Sequence, residues 1–335
     1  LGRTEPFVPL EKRDLALLKI FLDKFGPNFV DDTFIGQEAD WTPLHFAAAG
    51  GHTNAVELIA KCYNADATIA SVIGYTPVHL AAQEGHSDIV RLLVNKYDVD
   101  VTIESKTGVT PLHLAANQGH ANVVTQLVKE YNADPMARNE DGITAMHFAA
   151  LNGHTEVVKA LVRCNADPMA QDDAGALPVH FAASGGHTDV VDLFAKEYKV
   201  DMTARSNTGF TLMHYAVRSG HEEMVKLLAK EYNADLMARD GNGWTPMHIA
   251  ARNDKADMVK LLYPLSITMD IYNDHMGYGY TVKDNEGRAP IHHAAGEGHT
   301  EVVKELYLCN ADFSVRDNYG GTPMHWAAGR GHTDM

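Results

Sequence analysis

The segment TPLHLAANQGH at 110–120, followed by ANVVTQLVKEYNAD at 121–134, decides the fold, because its pattern returns along the chain. The opening phrase reads TPLH at 42, TPVH at 76, TAMH at 144, LPVH at 177, TLMH at 211, TPMH at 245, APIH at 289 and TPMH at 322. Successive starts lie 34, 34, 34, 33, 34, 34, 44 and 33 residues apart. A fixed period of roughly 20–50 residues marks a repeat array. Each unit has an apolar face that only its neighbours cover, so the array offers a long surface instead of an enclosed pocket.

The residues of one unit predict two helices. Pro at the first helical position costs nothing, since its missing N–H would be unpaired there anyway. The Thr before it is expected to cap the helix through its hydroxyl. The following Ala pair, as in Ala115–Ala116, favours helix and close approach of neighbours. Gly119 and its counterparts end the helix in a left-handed turn. The second helix pairs apolar residues one turn apart: Val157 and Val158, then Leu161 and Val162. That is helical rather than strand periodicity. Asn64, Asn132, Asn165, Asn233 and Asn310 then fit a positive φ. A polar, Gly-containing stretch leads to the next unit and reads as a hairpin-like finger. The extra residue of the 34-residue units sits at the end of the second helix, where "KEYNAD" replaces "RCNAD".

These motifs resemble the ankyrin-repeat family from about residue 14 to the end. The resemblance implies an all-α solenoid of helix-turn-helix units with hairpin fingers. Residues 1–40 are read as an N-terminal partial or capping repeat, with Asp14–Phe25 a lone helix. Residues 41–335 are read as nine repeats in one elongated domain, with an insertion at about 264–288. The last repeat stops at GHTDM, inside a second helix, and the first residue is Leu, so both ends are expected to be cut from a longer protein. Units 5–8 depart most from the pattern. Leu177 and Ala289 replace the capping Thr, each forfeiting about 1 kcal/mol, and Val217 replaces the second Ala, so bending or early local opening is expected there.

Composition narrows the function. A net charge of −16 disfavours nucleic acid and anionic membrane as partners. No apolar run approaches the ~18 residues of a membrane span, and the opening residues do not read as a signal peptide. The 3 cysteines form no disulfide framework, which points to an intracellular, cytoplasmic or nuclear, location. Of 19 histidines, seventeen belong to the repeated TPLH and Gly-His positions. The resemblance makes these structural hydrogen-bonding residues, and no Cys/His pair has zinc-finger spacing. Neither a G-x-x-x-x-G-K phosphate loop nor a G-x-S-x-G elbow is present. The chain is therefore read as non-catalytic and without cofactor or metal.

By resemblance, a partner protein or peptide binds the concave face formed by fingers and first helices. The residue before each Thr varies there, and Trp41, Tyr75, Phe210 and Trp244 are aromatic. Such rings either serve an interface or lie packed within the finger. After the Ala pair stand Arg218 and Arg252, joined by Arg288 and by Arg330 in the last unit. Arg pairs carboxylate or phosphate in bidentate fashion, so a groove over units 6–9 is expected to take an acidic or phosphorylated peptide with an aromatic or aliphatic anchor. The competing reading pairs each Arg with acids of neighbouring fingers, such as Asp240 or Asp284. The insertion, with Tyr272, His275, Tyr278 and Tyr280, reads either as an extended finger that touches a partner or as a tolerated surface loop. His293 stands where other units have Leu80, Leu114 or Ile249, and is expected to be buried. The functions in contention are a protein-interaction scaffold that is monomeric by itself, a structural subunit of a large assembly, and the regulatory segment of a larger channel or enzyme.

Overall fold

The computed structural model describes residues 19, 41–62, 65–273 and 280–332, with backbone only for 62 and 267–273. Apart from Lys19, the expected helix at 14–25 lies outside the described residues, as do Asn64 and the chain's last three residues. By its contacts the chain divides into two compact units, Leu1–Asp172 and Asp173–Met335. Each is a stack of helical pairs, and no strand occurs among the described residues.

In the first unit the pairs are α1 (Pro43–Ala49) with α2 (Thr53–Glu57), α3 (Pro77–Gln83) with α4 (Ser87–Tyr97), α5 (Pro111–Gln118) with α6 (Ala121–Lys129), and α7 (Ala145–Leu151) with α8 (Thr155–Arg163). A π-helical turn, Leu58–Cys62, continues α2. In the second unit they are α9 (Pro178–Gly185) with α10 (Thr188–Lys196), α11 (Leu212–Ser219) with α12 (Glu222–Lys230), α13 (Pro246–Arg252) with α14 (Ala256–Asn273), and α15 (Pro290–Glu297) with α16 (Thr300–Leu308); α17 (Pro323–Gly329) ends the row. Within each unit, first helices pack on first helices and second on second. The core is the seam between these two rows. Leu93, Leu127 and Leu161 are fully buried there, as are the Ala pairs 81–82, 115–116 and 149–150. Truncating one such Leu to Ala costs about 2–5 kcal/mol.

The histidines tie the stack together. At each first helix the N-cap residue's N–H donates to Nδ1 of the His three residues on, as in Thr76 to His79 at 3.1 Å. Nδ1 is therefore the acceptor, and Nε2 carries the hydrogen. That Nε2 donates forward to the next repeat: His45 to Tyr75 O, His79 to Val109 O, His214 to Trp244 O, His248 to Arg288 O. The Gly-His histidines reach backward to the preceding first helix: His86 to Ala49 O, His154 to Asn117 O, His221 to Ser184 O, His299 to Arg252 O. Burial holds His45, His113, His214 and His292 below the usual imidazole range, His79 at about 4 and His248 at about 3. A neutral ring is what the donor–acceptor pattern requires.

Two expectations need correction. The capping hydroxyl of Thr does not bond helix N–H groups; it meets the same imidazole, Thr76 Oγ1 to His79 Nδ1 at 3.0 Å. Leu177 and Ala289 thus lose only that contact, and their N–H groups still reach His180 and His292 at 2.9 and 3.1 Å. The left-handed stop after the second helix falls on Asn132, Asn165, Asn233 and Asn310 as expected, and the same conformation occurs at Asp98 and Lys199. Finally, the insertion begins as helix rather than finger, since α14 runs through Pro264 to Asn273. Its repeat has Ser266–Ile267 where others place the left-handed Asn, so nothing stops the helix. Pro264 removes one helical N–H, and Ser266 Oγ donates to Tyr263 O at 2.8 Å. The extra residue of the long repeats does sit after the second helix, as Glu130–Tyr131 between α6 and Asn132.

Candidate partner-binding cleft

The fingers are tight turns closed by a short polar side chain. Ser71 Oγ accepts the N–H of Tyr75, and Ser105 Oγ that of Val109. Asp240 Oδ1 accepts those of Asn242 and Trp244. The Gly that follows must be left-handed: Gly287 has φ +78°, and a Cβ there would lie 2.3 Å from Asn318 Oδ1. Adjacent fingers join through main-chain bonds, Lys106 N–H to Ile73 O and Gly241 N–H to Thr208 O. The turn aims the residue before each N-cap over the first helices.

The rings at that position are half-buried. In the first unit, Tyr75 stacks on His79 with centroids 5.3 Å apart, and Trp41 meets Phe46 edge-on at 5.2 Å. In the second, Phe210 stacks on His214 at 5.1 Å. Trp244 is held differently: its Nε1 donates to Asp284 Oδ2 at 3.0 Å, and its ring meets His293 at 5.1 Å.

Asp284 is the hub of this region, with no solvent-exposed side-chain surface. Oδ1 accepts the N–H groups of Glu286 and Arg288; Oδ2 accepts from Trp244 Nε1, Arg288 Nε and His293 Nε2. Burial alone would raise its pKa, but the His293 and Arg288 donors outweigh burial and hold the carboxyl well below the usual range. Asp317 plays the same part in the next finger, where Trp326 Nε1 donates to its Oδ2 at 2.9 Å.

Above these two carboxylates lies a cleft of about 360 Å³. Trp244, Arg252, Arg288, Trp326 and Arg330 line it, with Glu286 and Glu297 at its edge. The Arg252 guanidinium sits 4.6 Å over the Trp244 ring. Those of Arg288 and Arg330 sit 5.5 and 5.7 Å from the Trp326 ring. The four sequence-derived arginines thus separate into two kinds. Arg288 is paired with Asp284 and Glu286, both at 2.9 Å, and Arg330 with Glu297 at 2.8 Å. Arg218 and Arg252 are exposed, form no ion pair among the described residues, and rest on aromatic faces.

The structure therefore brings Trp244, Arg252, Arg288 and Arg330 together, with Phe210 and Arg218 one repeat earlier. Trp41 and Tyr75 belong to the first unit. His275, Tyr278 and the Tyr272 side chain lie outside the described residues; Tyr280 is buried. Sequence reasoning missed Trp326 and Asp317, and it offered Asp284 only as an ion-pair partner of arginine, a role it has for Arg288. The signal for Trp326 was available: the residue after each TPLH histidine is aromatic at Phe46, Phe148, Phe181, Tyr215 and Trp326.

The family model for ankyrin repeats (three copies) matches residues 10–105, 97–172, 164–240, 227–317 and 270–335. The chain belongs to the ankyrin-repeat family, whose members are generally protein–protein interaction modules and typically not enzymes. A search of curated proteins gives no match. Among the described residues no group of three or more metal-ligating side chains occurs, and no helix is long and apolar enough to cross a membrane.

Proposed function

We propose that this chain is a non-catalytic interaction scaffold whose second unit binds an extended acidic segment of a partner protein over its first helices and finger bases. The observation that carries this reading is the cleft in which Trp244, Trp326 and three arginines converge. Aromatic and Arg side chains are the residue types that dominate interface energetics. Here each is fixed before a ligand arrives, by an indole hydrogen bond or by stacking, which lowers the ordering cost of binding. Two buried free thiols, Cys164 and Cys309, support a reducing compartment inside the cell. Burial raises the Cys309 thiol to about 11, so it is kept protonated and unreactive.

The test is a peptide array of acidic, phosphorylated and neutral segments probed with the chain and with Arg252→Glu. Selective capture of acidic or phosphorylated peptides, weakened at least tenfold by the reversal, is the expected result. Equal capture by both proteins would refute the cleft as the binding site.

A further inference from the structure

Arg218 and Arg252 occupy the same place in successive repeats, seven residues beyond Thr211 and Thr245. The nine repeats carry Ala49, Gln83, Asn117, Leu151, Ser184, Arg218, Arg252, Gly296 and Gly329 there. Only two neighbouring repeats have a cation there, and both guanidinium groups are exposed and form no ion pair among the described residues. Each is held on an aromatic face: Arg218 lies 5.0 Å from the Tyr215 ring and 5.7 Å from that of Phe210, and Arg252 lies 4.6 Å from that of Trp244. An Arg stacked in this way keeps its planar edge, with its donors, free for an anion. Their helices, α11 and α13, pack side by side, and packed helices lie about 8–10 Å apart. A peptide in the extended polyproline II conformation advances about 3.1 Å per residue and returns to the same face every third residue, so side chains at i and i+3 span that separation on one side.

We infer that Arg218 and Arg252 form a paired anion reader, which selects partner segments with acidic side chains at positions i and i+3 of an extended stretch. This rests on the reading of the second unit as a peptide-binding surface and adds a spacing rule to it. Arg288 and Arg330 are excluded from the pair because Asp284, Glu286 and Glu297 already take their donors. They serve as positioning residues that brace Trp326. The anion is a carboxylate or a phosphate, since both match the guanidinium edge.

The test uses fluorescent Gly-Ser peptides carrying one leucine and two glutamates, placed two, three, four or five positions apart, with a parallel set carrying phosphoserine. Binding to the whole chain is read by anisotropy. The expected result is a preference of about three- to tenfold for the three-position spacing, in at least one set. That preference disappears in both Arg218→Gln and Arg252→Gln. Both side chains are exposed, and an unchanged thermal midpoint shows that the variants fold. The set with the preference identifies the anion. Peptides that bind with no preference for spacing, or with a preference that survives either substitution, overturn the paired reader and leave the surface reading standing. If no acidic peptide binds above the Gly-Ser host, both fall.

Discussion

Ser105, in the first unit, closes its finger with one hydroxyl that accepts the N–H groups of Thr107 and Val109. Asp284, at the equivalent place in the second unit, closes its finger with one carboxylate oxygen and uses the other to hold Trp244, Arg288 and His293. Around that difference the units diverge. Among the described residues every Arg-on-aromatic contact lies in the second unit. The imidazole network beneath is common to both. The scaffold is thus one solution repeated, and the cluster around Trp244 and Arg288 is a local addition made where a finger's closing residue offers a second acceptor.

The largest effect should come from acid, and it should strike both units alike. The lowered TPLH-type histidines are His45, His79 and His113 in one and His214, His248 and His292 in the other. Their folded pKa values lie below the unfolded value of 6.5, so the unfolded chain binds more protons. Stability is full above pH 6.5 and falls as pH drops toward about 4, the folded value for His79. Each such group adds up to about 1.4 kcal/mol per pH unit. Urea midpoints at pH 7.5, 6.0 and 5.0, read by hydrogen exchange in each unit, check this; a pH-independent unit would break the symmetry.

Next in size is the contrast that separates the units. Asp284→Ala leaves buried donors of Trp244, Arg288 and His293 unpaired and should cost about 3–5 kcal/mol, whereas Ser105→Ala should cost about 1 kcal/mol. Equal costs in urea unfolding would mean that the hub is not what distinguishes the second unit.

The smallest effects sharpen the comparison at its left-handed stops. The first unit uses Asp98, Asn132 and Asn165; the second has Lys199 at φ +58°. Lys199→Asn should raise the second unit's stability by about 0.5–1 kcal/mol, and Asn132→Lys should lower the first by a similar amount. Matching thermal-midpoint shifts of opposite sign are expected.

Much of this was legible in the sequence. The period, the Ala pairs and the turn glycines specify paired helices because they encode local geometry and nearest-neighbour packing. The arginines of the cleft were legible because they stand out against a repeated background. What escaped depends on contacts outside one repeat's pattern. The role of the Thr hydroxyl was misassigned because a generic cap and an imidazole partner need the same residue. The continuation of α14 was misread because an insertion suggests a loop, whereas here it deletes the stop at Ser266–Ile267. Asp284 was weighed as a salt-bridge partner of neighbouring arginines; its bonds to Trp244 and His293 join residues 40 and 9 positions away, which periodicity does not encode.

The main-chain links between fingers, such as Lys106 N–H to Ile73 O and Glu140 N–H to Thr107 O, ask for no particular side chain at those tips. Mutation can rewrite those tips while the ladder under them persists. A lineage carrying such a fold can change the company it keeps without relearning how to stand.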